Sequence, residues 1–139
     1  MSGIYELLFN AVEHGNLGIG YDEKTTLLAQ GKWHDEVMRR LSLLENHGKW
    51  LDIKLVSDKQ ECRLTITDQG KGFAWRDYIE RPVNRQQPNG RGLLIALNSK
   101  FDTISFNETG NEVVCTARHD NKTNKFEKLI SRSLLEVEA

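Results

Sequence analysis

The chain of 139 residues is short of proline, with two, short of cysteine, with two, and has no charge excess, its formal net charge being −1. Each shortage excludes something. A near-neutral chain lacks the basic excess of a general nucleic-acid binder. Two cysteines, Cys62 and Cys115, have no spacing for a Cys-based metal site, and both fall in strand-like runs. They read as buried, reduced core thiols of a cytoplasmic protein, with a disulfide as the lesser alternative. No apolar run approaches the roughly 18 residues of a membrane span. The first residues, Met1 to Glu6, lack the basic and apolar regions of a signal peptide. Both prolines, Pro82 and Pro88, sit in one irregular stretch, so the rest of the chain is free to be regular. The length suits one domain with its own core.

What is present is patterned. Ile4, Leu7, Leu8, Ala11 and Val12 recur at helical spacing, and Gly15 suits the stop of a helix over 4–15. Glu6 and Asn10, four apart, share another face of that helix. They are either ordinary polar residues of an amphipathic surface helix or a general base beside a neutral oxygen ligand. Asp22 suits the cap of a helix to about Gln30, with Leu27 and Leu28 inward. A second helix from about His34 to Asn46 puts Val37, Met38, Leu41 and Leu44 on one side. Trp33 and Trp50 flank it, as packing anchors or as a docking surface. Alternation of Leu51, Ile53 and Leu55, and then of Cys62, Leu64 and Ile66, predicts a hairpin with one apolar face. That face calls for helices on one side of the sheet only.

The second strand ends at Asp68, followed by Gly70 and Gly72, where the backbone can approach a ligand closely. Residues 73–89 are irregular, and Arg81 and Arg85 there are either phosphate partners or solvated surface groups. Gly90, Arg91 and Gly92 open a helix to about Ser99, a start that exposes N–H groups to an anion. No P-loop pattern occurs. Phe101 to Phe106 and Val113 to Ala117 read as a closing hairpin. Phe126, Leu129, Ile130, Leu134 and Val137 recur at helical spacing in the tail, which either folds back or contacts another copy.

Glu6 to Gly15, Asp68 to Phe73 and Gly90 to Leu93, in this order, resemble the asparagine box and the two glycine boxes of the GHKL ATPases. That superfamily includes gyrase, a heat-shock chaperone, histidine kinases and mismatch-repair ATPases. The first box looks most like that of the anti-sigma-factor serine kinases and the related response-regulator-linked ATPase domains. The resemblance spans roughly Ile4 to Ala117.

It implies the Bergerat ATP-binding fold: an α+β two-layer sandwich whose mixed, largely antiparallel sheet is covered on one face by helices. Residues 1–118 would form the domain, with two inserted helices at about 22–47 and an ATP lid at about 73–90; 119–139 would form the tail. The layout lacks the family's first strand and helix. The apolar surface these would cover raises the alternatives of a fragment of a longer two-component signalling protein, cover by the inserted helices, or a homodimer.

The implied activity is transfer of phosphate from ATP to a serine or threonine of a regulatory protein, an anti-sigma-factor antagonist by analogy. Mg²⁺ would be held by Asn10 and the phosphates. Glu6 would be the base and Asp68 would read the adenine amino group. Gly70, Gly72, Gly90, Arg91 and Gly92 would shape the pocket and lid. His14 is either a phosphate neighbour or a helix-end residue. Asn111 stands where many members have threonine, leaving one adenine contact open. The rival class is a non-catalytic, nucleotide-dependent binding module acting on a sigma factor or phosphatase. Neither nucleic acid nor membrane is implied as a partner.

Overall fold

The computed structural model describes residues 3–76 and 101–119. Within them the chain is an α+β fold. The helices are α1 (Gly3–Asn10), α2 (Tyr21–Ala29) and α3 (Trp33–Leu41). The strands are β1 (Asp52–Ser57), β2 (Glu61–Thr67), β3 (Thr103–Phe106) and β4 (Glu112–Arg118). The sheet order is β1-β2-β4-β3 and every described pair is antiparallel, with no parallel pair of the expected mixed sheet among them.

The alternation in β2 sets the core. Cys62, Leu64 and Ile66 are buried on one face, and register places Leu64 opposite Cys115 and Ile66 opposite Val113 of β4. Ile4, Leu7 and Ala11 of the leading helix pack onto that face, joined at its margins by Ile104 and Phe106. Eight residues are too few for α1 to be helical alone, where roughly 12–15 are needed, so this apolar stripe holds it. Each fully buried aliphatic side chain contributes about 1.5–3 kcal/mol. Both cysteines are free and buried, and burial pushes the Cys115 thiol up to about 12. Among the described residues no helix is long and apolar enough to cross a membrane.

The leading helix differs from expectation in how it ends. It does not stop at Gly15. After Asn10 it widens into a π turn over Ala11–Asn16, marked by the bond from Leu17 N–H to the Val12 carbonyl, 2.9 Å. Gly18, at φ +65°, follows it. Gly15 is required for another reason: a Cβ there would lie 2.3 Å from the Asp68 carboxyl carbon.

The inserted helices also differ. α2 starts at Tyr21, so Asp22 lies within its first turn, and the Glu23 carboxylate takes the Gly20 N–H instead, at 3.4 Å. α3 ends at Leu41, with a short 3-10 turn over Leu44–Asn46. Neither helix buries a residue, and Leu28, Met38, Leu41 and Leu44 stay exposed. Tyr21 of α2, stacked on His14, joins this pair to the domain together with charge. Lys24 meets the buried Glu13 at 2.6 Å, and Arg40 reaches the Leu17 carbonyl at 3.0 Å, Glu36 at 2.7 Å and Glu23. Trp33 is half-buried beneath Lys24, whereas Trp50 stands 63% exposed. The helix expected at 90–99 and the amphipathic tail lie outside the described residues.

Candidate functional site

Three segments far apart in sequence meet at one end of the sheet. They are the end of the leading helix, the turn after β2, and the turn over 107–111 between β3 and β4. The cleft between them holds about 440 Å³ of empty space counted to its open mouth, of which the centre of a water-sized sphere can occupy about 30 Å³. Asn10, His14 and Gly15 contribute one wall, Asp68, Gly72 and Phe73 a second, and Gly110, Asn111 and Glu112 a third. Ile66, Val113 and Phe106 line it from the sheet.

Asp68 lies at the end of β2, almost fully buried. Its carboxylate accepts the Gly70 N–H at 2.8 Å, the hydrogen bond that closes the turn. Burial raises its pKa, and the Gly70 bond opposes the rise. Its backbone is tied to the third wall: the Asp68 N–H donates to the Asn111 carbonyl at 2.9 Å. The Asn111 side-chain oxygen accepts from Asn107 Nδ2 at 2.6 Å and from the Thr109 hydroxyl at 2.8 Å. Those bonds fix the orientation of its amide, whose Nδ2 donates to the Asp68 carbonyl at 3.4 Å. Asn107 in turn receives the Gly110, Asn111 and Glu112 N–H groups on its side-chain oxygen. Gly72 has φ +80°, and a Cβ on it would lie 1.8 Å from the Thr109 carbonyl oxygen. Glycine is therefore what lets the second and third walls touch.

On the first wall, Asn10 at the end of α1 and His14 in the π turn line the cleft, and π turns recur at functional sites. His14 bonds through Nδ1 to the Ile19 carbonyl and stacks on Tyr21 at 3.7 Å between ring centroids. A carbonyl only accepts, so Nδ1 carries the proton, and Nε2 of the neutral ring is an acceptor. Burial lowers its pKa, with Lys24 acting in the same direction and the Ile19 carbonyl and Glu13 against it. The ring is therefore neutral at pH 7, a poor phosphate partner by charge. Tyr21 faces Phe73, and Phe73 meets Phe106 edge-on at 5.4 Å, so an aromatic series runs along the cleft. Beyond it the cleft opens into a basin that shares Gly15, Tyr21, Gly72 and Phe73 and carries Lys49 and Lys71.

Of the residues singled out in the sequence, Asn10, Asp68 and Gly72 line the narrow cleft, while Gly70 lines the basin and meets the Gly15 carbonyl. Glu6 is half-buried on α1, one turn before Asn10, and is not among the described residues that line either space. Gly90, Arg91 and Gly92, with Arg81 and Arg85, lie outside the described residues.

Sequence reading missed Tyr21, Phe106 and Asn16. Asn16 is buried and links three segments. It accepts the Gln69 N–H at 2.8 Å, donates to the Trp50 carbonyl at 3.1 Å, and offers its own carbonyl to Lys49 at 2.8 Å. No period in the sequence marks it. Among the described residues, no group of three or more His, Cys, Asp or Glu side chains is placed to hold a metal. No family model, curated protein or solved structure matches the chain.

Proposed function

We propose that this cleft binds the adenine end of ATP, as a Bergerat-type two-layer domain of the GHKL class, and that the chain serves phosphate transfer to a serine or threonine of a regulatory protein. One observation carries the reading. A buried carboxylate, Asp68, and a helix amide, Asn10, line the same narrow cleft although 58 positions separate them in the chain.

Asp68 offers acceptor oxygens in a cleft that also has apolar lining, which suits an exocyclic amine between ring faces. Ile66, Val113 and Phe106 supply the apolar contact. The slot is narrow, so a purine enters only as its walls separate. The aromatic walls are joined by ring contacts rather than by covalent bridges, which permits that separation.

The donor set fits Mg²⁺ held mainly by phosphate oxygens and water, since Asn10 presents a single amide oxygen. The ion would neutralise charge on the transferring phosphate. Asn10 would orient the bound phosphates, and Gly72 keeps the turn close enough to exclude water from the purine.

The second reading is a nucleotide-dependent binding module that acts on its partner by contact. It is favoured by the place of Glu6, which lies outside both described spaces. Equilibrium binding of radiolabelled ATP with Mg²⁺ tests the first step. Loss of binding in Asp68→Asn and Asn10→Ala supports the pocket, and undiminished binding in both refutes it. Phosphate transfer to a candidate antagonist then separates the classes. Transfer that Glu6→Gln abolishes assigns the base. Binding with no transfer by the parent chain favours the module.

A further inference from the structure

Among the described residues β1 is an edge strand, and all six of its residues are exposed. Register places Ile53 opposite Ile66 and Leu55 opposite Leu64, so both belong to the apolar face that α1 covers farther in. Here they remain 46% and 45% exposed. No proline or bulge interrupts β1, and Lys54 is its one basic residue. An apolar edge of this kind is a template for another strand.

We propose that β1 pairs with β1 of a second copy of this chain, antiparallel, about a two-fold axis passing through Ile53. Charge and apolar cover together select that register: centred on Val56 the axis also brings Lys54 to Asp58, but it sets Leu55 against Ser57 and Ile53 against Lys59. A two-fold axis normal to the sheet keeps both apolar faces on the same side, so it must pass through a residue rather than between two. Centred on Lys54 it sets two lysines face to face, and centred on Asp52 it sets two aspartates face to face. Centred on Leu55 it brings Asp52 to Asp58. Centred on Ile53 it places Asp52 opposite Lys54 of the second copy, twice, with Ile53 against itself and Leu55 against Leu51. The same register brings Trp50, 63% exposed, toward Val56 of the second copy, 49% exposed. One arrangement thus pairs both charges and covers the apolar residues that the protomer leaves in water. Eight described strands would then form one sheet, within the common range.

The test uses the full chain in sedimentation equilibrium from low micromolar concentration upward. The parent is expected to dimerise. Asp52→Lys and Lys54→Asp are each expected to weaken self-association about tenfold, since both replace two opposite-charge pairs with like-charge pairs. The double variant Asp52→Lys/Lys54→Asp, and an equal mixture of the two single variants, restore it. Under mild oxidation Ile53→Cys cross-links to its own counterpart, because directly opposed Cα atoms in such a pair lie about 4.5–5.5 Å apart, within disulfide reach. Leu55→Cys does not. Cys62 and Cys115 are buried, so the parent chain serves as the blank. A parent that stays monomeric, a dimer indifferent to the charge variants, or Leu55→Cys cross-linking in preference to Ile53→Cys each overturns the proposal.

Discussion

If the cleft takes ATP as proposed, Asp68 faces two opposed demands, one from folding and one from ligand recognition. Its carboxyl is buried, so its folded pKa lies above the unfolded value of 3.8. The sign follows from linkage: the folded state holds the proton more tightly than the unfolded chain does. Ionised Asp68 therefore lowers stability at pH values above its folded pKa. The penalty fades as pH falls through the folded pKa toward the unfolded one. Asparagine has the same shape, stays neutral, and still accepts the Gly70 N–H. Asp68→Asn is expected to raise the unfolding free energy of the ligand-free protein by about 1 kcal/mol at pH 7. That gain shrinks toward zero near pH 4, about where the unfolded carboxyl titrates. Urea unfolding at several pH values measures it, and a variant less stable than the parent at neutral pH removes the argument. At this scale the sequence was legible where a residue has a place within its own element. Asp68 closes an alternating run and Asn10 repeats Glu6 one helical turn on. Tyr21, Phe106 and Asn16 meet the site only across elements, and such contacts leave no period in the chain.

Among elements, the central hairpin and the closing one could be read because alternation states both the strand and its face. The ends of α1 and α3 could not, because tertiary contact set them: Gly15 reads as a stop in sequence, yet it is a point of contact with Asp68. Periodicity also put Leu28 inward and Met38, Leu41 and Leu44 on one helix side, and all four stay exposed. A period shows that a helix has an apolar side, but not that anything lies against it. The α2–α3 pair is held instead by Tyr21 stacked on His14 and by polar contacts, Lys24 with Glu13 and Arg40 with the Leu17 carbonyl and with Glu23. The contact that matters for stability is Lys24 with Glu13, whose side chain is 4% exposed. Lys24→Ala strands a buried carboxylate and is expected to cost about 2 kcal/mol, below the fully buried case because Lys24 keeps 21% exposure. Glu13→Gln/Lys24→Met removes both charges and is expected to recover most of that loss. Urea unfolding of the three chains decides it. A double variant no better than Lys24→Ala would mean that packing around Lys24 and Trp33, not charge, holds the pair.

The described residues form a small core with a cleft made by the fold itself. The cleft is shared by the leading helix, the turn after β2 and the turn before β4, and no one of them forms a pocket alone. An unfolded chain therefore has no comparable site, and a ligand of the cleft must stabilise the folded state by mass action. At a free concentration about a hundred times its Kd the gain is about 2.7 kcal/mol. For a chain of 139 residues that corresponds to a rise of roughly 9 °C in Tm. ATP with Mg²⁺ is the ligand to use, monitored by calorimetry. Asp68→Asn makes the result specific, because the two effects on it run in opposite directions. It should melt above the ligand-free parent yet gain little from ATP. A variant that is merely misfolded would lose the ATP response and melt lower, and a site unrelated to Asp68 would leave the response intact. Only a carboxylate retained for recognition at the expense of stability gives the higher baseline together with the lost response.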